Sequence, residues 1–508
     1  MTPAIPALPV GRLLMGLSLG TDLARDVPME SALRTCLFSL EIAATLGAPV
    51  DLRAVFHVAL LRFLGCTAYS HELTHALGVD DRAVHHLALL QALEGKTRGV
   101  LSEAAVQRVV GGLRPIAAAM ADPAARRGMA ASQCEVAAHL ADRLGLGPTV
   151  CAPLRQAYER WNGAGVPDGL AEDAIEPVAR IVQGGYLTEL AVRAFSPDDV
   201  VAVLRGAAGE ALDPRVAEAA IDALPTLTAW ARQPSIWDEL AARVPDDGLP
   251  LDGLGPLAAA FADFADLKSV YRIGHSSAVA ARAEAAAAQL GLGVDAREVR
   301  VAGLLHDLGL VSVSTATLDK PGPLSNTELE RLRLHPYHTV RVLAPIPQLR
   351  AVTAIAGGHH ERLDGTGYPM ATTALSVGAR LLAAADVYTA LREDRAHRPA
   401  LSAREARRVV EGLARDGQLD AGAVAAVLAV DGVTPAVRGP RPALTPRQLE
   451  VLRLIALGRT EKEVAQALAL SPRTVHHHVT HIYERLGVST RVAVALFAVE
   501  NGLLQRPS

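Results

Sequence analysis

Aromatic side chains are scarce in this chain, with seven Phe, eight Tyr and three Trp among 508 residues. Ala is abundant, and the two together give the profile of a helix-rich protein. Cysteine is scarcer still. The four are Cys36, Cys66, Cys134 and Cys151, with no CxxC pair and all in the N-terminal half. That excludes a disulfide framework and predicts reduced, buried thiols in a cytoplasmic protein. No run of 18 apolar residues occurs, so no transmembrane helix and no membrane partner are expected. The opening MTPAIPALPVGRLLMGLSLG lacks a basic start, and Pro and Gly break its apolar stretch, so it does not read as a signal peptide. Basic excess is also missing: the net charge of −4 rules out a generally cationic nucleic-acid coat and confines any DNA binding to a local surface.

What is present is apolar bulk, 50% of residues, enough for large cores. At roughly 100–200 residues per domain the length predicts three or four domains. Two stretches rich in Pro, Gly and Asp read as linkers, residues 231–256 and 431–443. They separate blocks 1–230, 257–430 and 444–508, and the text between them carries apolar residues at helical three- and four-residue spacing.

The first two blocks resemble each other. Ala59-Leu-Leu-Arg-Phe-Leu-Gly65 parallels Gly303-Leu-Leu-His-Asp-Leu-Gly309, each after a Leu-Gly-x-x-Val-Asp turn that starts at Leu46 or Leu290. Tyr158-Glu-Arg-Trp-Asn-Gly-Ala-Gly-Val-Pro167 parallels His360-Glu-Arg-Leu-Asp-Gly-Thr-Gly-Tyr-Pro369, and Ala179-Arg180 parallels Ala379-Arg380. The shared order reads as a tandem duplication.

The second copy holds His275, His306, Asp307, His335, His359, His360 and Asp386, all metal-capable. His306-Asp307 and Asp386 stand in strongly apolar helical runs, where an ionised carboxylate is costly unless paired or coordinated. Imidazole with carboxylate suits Fe, Mn or Zn. The signature elements His306-Asp307, His335-Pro336, His359-His360-Glu361, Asp364-Gly-Thr-Gly-Tyr-Pro369 and Ala385-Asp386-Val387, with Tyr271-Arg-Ile-Gly-His275 upstream, resemble the HD-GYP family of phosphohydrolases. That resemblance implies an all-helical domain that hydrolyses cyclic di-GMP or a related phosphoester. Its divalent metals would be bridged by Asp307, with His306 and Asp307 catalytic and Asp386 and the remaining histidines as further ligands. It also implies substrate contacts from Arg395, Arg398 and the loop residues Asp364, Gly365, Gly367 and Tyr368. The chain departs from the family at three places. Tyr271 replaces a glutamate that adds a third metal in some members, so two metals, Fe or Mn, are expected. Leu310 stands where many active members have Lys, and Arg395-Ala-His397 where Arg-Pro-Tyr is usual.

In the first copy the same alignment places Ser31 at His275, Arg62-Phe63 at His306-Asp307, Gln133 at His335, Ala157 and Tyr158 at His359 and His360, and Tyr186 at Asp386. These residues cannot build a hydrolytic metal site. The copy is expected to be a degenerate, structural, dimerising or sensory partner.

At the C-terminus, Thr445-Pro446 with Gln448 reads as a capping box. Gly458 should stop that helix, a short helix follows over Glu461–Leu468, Ser471-Pro472 starts another running to Leu486, and a last one begins near Thr490. This is helix-turn-helix spacing. Leu444-Thr-Pro-Arg-x-x-x-Val-Leu452, Ser471-Pro-x-Thr-Val-x-x-His478 and Leu486-Gly-Val-x-x-Arg491 resemble the LuxR-type DNA-binding domain. Lys462, Arg473, Thr474 and Arg491 are expected at phosphates, and Val475, His476 and Thr480 at base edges. The whole reads as all-α: tandem helical HD-type domains, the first degenerate, then a four-helix LuxR-type domain. The expected function is a one-component transcription regulator that binds double-stranded DNA as a homodimer and couples this to a cyclic dinucleotide or other phosphoester. The alternatives are a phosphodiesterase with secondary DNA binding and a catalytically inactive nucleotide sensor.

Overall fold

The computed structural model describes residues 8–47, 49–77, 81, 122–244, 248–249, 254–291, 295–430 and 444–504. They fall into two compact units, Leu8–Gly248 and Leu249–Ser508. Apart from two two-residue strands, Leu8–Pro9 and Gly248–Leu249, the regular elements among these residues are helical. None of those helices is long and apolar enough to cross a membrane.

The first unit contains α1 (Val10–Ala24), α2 (Ser31–Leu46), α3 (Leu52–Leu61), α4 (Ser70–Leu77), α5 (Pro123–Arg143), α6 (Pro148–Arg155), α7 (Pro177–Ala194), α8 (Pro197–Ala207), α9 (Pro214–Asp222), α10 (Leu224–Ala231) and α11 (Trp237–Ala241). The second contains α12 (Leu254–Asp266), α13 (His275–Leu290), α14 (Ala296–Leu305), α15 (Thr315–Leu318), α16 (Asn326–Arg333), α17 (His335–Leu343), α18 (Arg350–Gly357), α19 (Val377–Leu391), α20 (Ala403–Arg415) and α21 (Ala421–Ala429). It ends in α22 (Pro446–Ala456), α23 (Glu461–Leu468), α24 (Pro472–Leu486) and α25 (Arg491–Glu500).

The same local chemistry builds the start of both units. Gly47 and Gly291 close α2 and α13 in the left-handed conformation, at φ 62° and 55°. Glycine takes that conformation without a Cβ penalty. Asp51 and Asp295 then cap α3 and α14 by accepting from the amides of Arg53 and Arg297. One carboxylate anchors the preceding helix in each unit: Asp22 accepts from the Ala32 amide at 3.0 Å, and Asp266 from the Ser276 amide at 2.9 Å. The two helices so joined, α13 and α14, pack so closely that a methyl on Gly303 would come within 2.7 Å of Ala280 Cα.

The first expected linker requires correction. Residues 232–244 belong to the first unit: α11 forms over Trp237–Ala241, its N-cap residue Ile236 and its Leu240 are fully buried, and the Ile236 amide donates to Glu30. An apolar pair four apart on one helical face outweighs the surrounding Pro, Gly and Asp. Residues 245–247 and 250–253 of that linker, and all of the linker 431–443, lie outside the described residues.

Candidate metal centre and nucleic-acid interface

Five helices of the second unit deliver the ligand candidates to one point. His275 opens α13, His306-Asp307 ends α14, His335 opens α17, His359-His360 follows α18, and Asp386 lies within α19. Glycine permits the closest approach: a methyl on Gly309 would lie 2.0 Å from the His335 carbonyl oxygen. Thr339 ties the same crossing, donating to the His306 carbonyl at 2.9 Å and accepting from the Gly309 amide at 2.9 Å.

Two groups result, His275–His306–Asp307 and His335–His359–His360, the ligand atoms of each within 4.8 Å of one another. Asp307 stands between them. Its Oδ1 is 3.3 Å from His335 Nε2 and 3.7 Å from His359 Nε2, while its Oδ2 is 3.2 Å from His306 Nε2 and 3.7 Å from His275 Nε2. Asp386 Oδ1 closes the first group, 3.1 Å from His275 and 3.8 Å from His306.

The ring orientations are fixed from behind. Nδ1 of His306, His335 and His359 bonds the carbonyl three residues earlier, at 2.8, 2.7 and 2.6 Å. His275 Nδ1 bonds Glu393 at 2.8 Å. Each Nε2 is thereby aimed inward, the arrangement that metal-ligating histidines require. Burial pushes the His306 and His359 imidazoles down to about 3 and about 4, and lowers His335 and His360 as well, so all four are neutral at physiological pH. His275 is also fully buried, which opposes its charge, but Glu393 beside it turns the net shift upward. His306 Nε2 is buried without a hydrogen bond. An orphaned buried nitrogen facing two carboxylates fits a cation, and neutral imidazoles with carboxylates are the donor set for Fe, Mn or Zn.

Two residues here were not singled out from sequence. Arg272 sends its guanidinium to Asp307 Oδ2. Glu393 pairs with His275 and with Arg395 at 3.0 Å. Arg395 also donates to the Tyr271 carbonyl at 3.3 Å, which puts it at the rim of the centre. Arg398 requires correction as a substrate contact. Its guanidinium donates to the carbonyls of Ala390, at 2.6 Å, and of Leu391, Glu393 and Pro399, so it caps the C-terminus of α19. Leu310 is buried, 2% exposed, and sends no polar group to the centre.

The glycine loop lies over the second group. Tyr368 stacks on His360, ring centroids 4.6 Å apart and 23° from parallel. Asp364 shapes the turn by accepting from the Thr366 amide and hydroxyl. Gly365 has φ 77°, and a methyl on Gly367 would come within 2.4 Å of the Arg362 nitrogen. Glu361, 2% exposed, staples the far side by accepting from the amides of Met370 at 2.8 Å and Thr372 at 2.9 Å.

The first unit keeps this frame and fills the middle. Glu159 accepts from the amides of Asp168, Gly169 and Leu170 as Glu361 does in its own loop. A methyl on Gly65 would lie 1.9 Å from the Gln133 carbonyl oxygen, the counterpart of Gly309 and His335. In place of ligands, Arg62 donates to the Ala157 carbonyl and Gln183 and lies 4.5 Å from the Tyr186 ring. Arg25 lies 3.5 Å over Phe63. Ser31 donates to the Pro28 carbonyl at 2.8 Å. Tyr158 donates to Gln133 at 2.7 Å. Among the described residues both metal-capable groups lie in the second unit.

The last four helices form a helix-turn-helix. Thr445 and Thr460 head capping boxes with Gln448 and Glu463. Lys462, Arg473, Thr474, His476 and Thr480 are exposed. Val475 requires correction: it is fully buried with Val479 and Ile482 in the domain core, so it does not face a groove. Arg491 spends Nε on the Ile455 carbonyl and a terminal nitrogen on the Arg459 carbonyl, both at 2.9 Å, and serves chiefly to brace the domain.

Comparison with known proteins finds matches to two parts of the chain. Residues 259–422 match the HD domain, and residues 442–498 match the bacterial regulatory proteins of the luxR family. The chain is 26% identical over 427 residues to the 3'3'-cGAMP-specific phosphodiesterase 3 of Vibrio cholerae, covering 81% of this chain and 92% of that one. It is 42% identical over 146 residues to a cyclic di-GMP phosphodiesterase of Pseudomonas aeruginosa, covering 28% of this chain and 35% of that enzyme. A crystal structure of a cyclic GMP-AMP-specific phosphodiesterase from V. cholerae superposes with TM-score 0.57 at 23% identity, over 84% of this chain and 98% of that chain, a likeness of fold.

Proposed function

Because the chain joins an HD domain to a luxR-family regulatory domain, we propose that it is a one-component transcription regulator whose HD domain hydrolyses a cyclic dinucleotide. The observation that carries the hydrolytic half is Asp307, which turns one oxygen toward each of two histidine groups. Two divalent cations, Mn or Fe, would be held by His275, His306 and Asp386 on one side and by His335, His359 and His360 on the other, with Asp307 shared. Bound there, such cations supply Lewis acidity and an activated water. The chain's own residues do the rest. Backbone carbonyls hold the His306, His335 and His359 imidazoles in the ligating orientation, and Glu393 holds that of His275. Tyr368 presents a flat ring beside His360 against which a nucleobase can stack. Arg395 offers a guanidinium at the rim for a phosphate.

The DNA-binding half rests on Lys462, Arg473, Thr474, His476 and Thr480, a polar exposed set on α23 and α24. Homodimerisation follows from the small surface that one such module buries on DNA. A second reading, nucleotide sensing without turnover, is favoured by Leu310, whose buried side chain brings no cation to the substrate. The test is hydrolysis of cyclic di-GMP and 3'3'-cGAMP by Mn- or Fe-loaded protein beside Asp307→Ala. Multiple turnovers lost in the variant support the enzyme. Metal binding without product in either assay supports the sensor. Salt-dependent retention of one sequence from a random DNA pool tests the regulator.

A further inference from the structure

Between α12 and α13 the chain passes through a tight turn, Leu267–Gly274, whose two faces meet different parts of the second unit. One face lies against the helix-turn-helix. Ile273 packs on its buried cluster. A methyl on Gly458 would come within 2.9 Å of Val270 Cγ1, and one on Gly274 within 3.4 Å of Val499 Cγ2. The other face reaches the metal centre, through Arg272 on Asp307 and through His275, which follows directly. The turn has little slack. The Arg272 amide donates to the Ser269 carbonyl at 3.0 Å, the His275 amide to the Arg272 carbonyl at 2.8 Å, and Arg395 holds the Tyr271 carbonyl. Ser276 is clamped to Asp266 by its amide and hydroxyl, at 2.9 and 2.7 Å.

Arg272 and a divalent cation compete for the same carboxylate oxygen. We infer that the turn Val270–His275 is the link by which occupancy of the metal centre is read by the DNA-binding domain. A cation on Asp307 displaces the Arg272 guanidinium, and the constrained turn repacks Val270, Ile273 and Gly274 against Gly458 and α25. The inference rests on the metal-centre reading proposed above and names the regulation of that site. The contact leaves Arg473, Thr474 and His476 exposed, so the link changes how the domain is held without covering its reading helix. Coupling of this kind is reciprocal, so bound DNA shifts cation affinity by the same factor.

The test uses the full chain titrated with Mn(II), with calorimetry for affinity and amide exchange for response. Wild type should bind Mn(II) and change exchange in segments 267–274, 455–460 and 496–502. Arg272→Met should bind Mn(II) about tenfold more tightly, since a competing charge is gone, and its helix-turn-helix response should vanish. Val270→Ala with Ile273→Ala should bind Mn(II) within twofold of wild type and also lose that response. If this double variant unfolds the last four helices, Arg272→Met carries the test alone. Mn(II) binding that protects the HD segments while 455–460 and 496–502 stay unchanged would overturn the link and spare the metal centre. Unchanged affinity in Arg272→Met would overturn it too. Absence of Mn(II) binding in wild type would overturn the metal centre itself, and the link with it.

Discussion

Glu361→Ala should loosen the glycine loop without touching a ligand. The carboxylate is 2% exposed and takes two amide hydrogens at 2.8 and 2.9 Å. Hydrogen bonds to a charged group contribute about 1.5–3 kcal/mol each. Met370 is 80% exposed, so water reaches part of the freed backbone and trims the loss. We expect about 2–4 kcal/mol, or about 5–15 °C in the unfolding of the second unit at roughly 2–4 °C per kcal/mol. Glu361 directly follows His360, and the loop it holds carries Tyr368. Mn(II) affinity should therefore fall about 10- to 100-fold, the usual cost of losing an outer support of a metal site. Glu159→Ala removes the matching staple from the first unit. It should destabilise that unit comparably and leave Mn(II) affinity unchanged. Calorimetric unfolding and amide exchange over residues 364–372 measure the first effect, and Mn(II) titration the second. A Glu361→Ala protein with unchanged exchange in that loop would refute the staple. A Glu159→Ala protein with weakened Mn(II) binding would refute the confinement of the metal site to the second unit.

Asp307→Ala should abolish Mn(II) binding at both groups together, because each loses its own oxygen of the shared carboxylate; retention of one ion by calorimetry would contradict the bridge. His57 predicts acid sensitivity of the first unit. Burial first, then Arg53, lowers its folded value to about 4, against 6.5 in the open chain. The unfolded chain therefore takes up a proton first, and stability falls as pH drops from 6.5 toward 4, by up to about 3 kcal/mol. His57→Phe should flatten that slope in urea titrations across this range, and an unaltered slope would exclude His57 as the cause. Arg473→Ala should lower the slope of log affinity for DNA against log salt by about one. Val475→Ala should leave that slope alone and cost the domain about 1–3 kcal/mol through its core.

Much of this architecture could be read from the chain because its signals are local. The Leu-Gly-x-x-Val-Asp turn spells a C-terminal glycine and an N-cap aspartate in one short word. Thr445 with Gln448 forms the capping box its spacing announces. Apolar runs around His306-Asp307 and Asp386 mark carboxylates held in a core. Other features depend on partners distant in sequence. Glu393 sits in Leu-Arg-Glu-Asp-Arg-Ala-His-Arg, which reads as a solvated charge run until it meets His275. Arg272 is one more arginine until the fold carries it to Asp307. The family resemblance points Arg398 at substrate, yet its place just beyond α19 suits a carbonyl cap. Val475 carries a signal for burial that the base-edge expectation passes over: Val475, Val479 and Ile482 recur at four and three residues, the stripe of a buried helix face. Ile236 and Leu240 likewise carried a helical pairing inside a stretch judged by its composition.

The distribution of sulfur has a practical side. Cys36, Cys66, Cys134 and Cys151 are all buried in the first unit, and burial raises the Cys134 thiol to about 12. Thiolates at such positions are withheld from electrophiles. Leu249–Ser508 contains no cysteine. A single cysteine placed at exposed Lys462 would therefore take a maleimide dye or nitroxide alone, against a silent native background. The unit that holds both the candidate metal centre and the helix-turn-helix can thus be fitted with spectroscopic reporters one at a time, in the intact chain and without removing a native residue that matters to its packing.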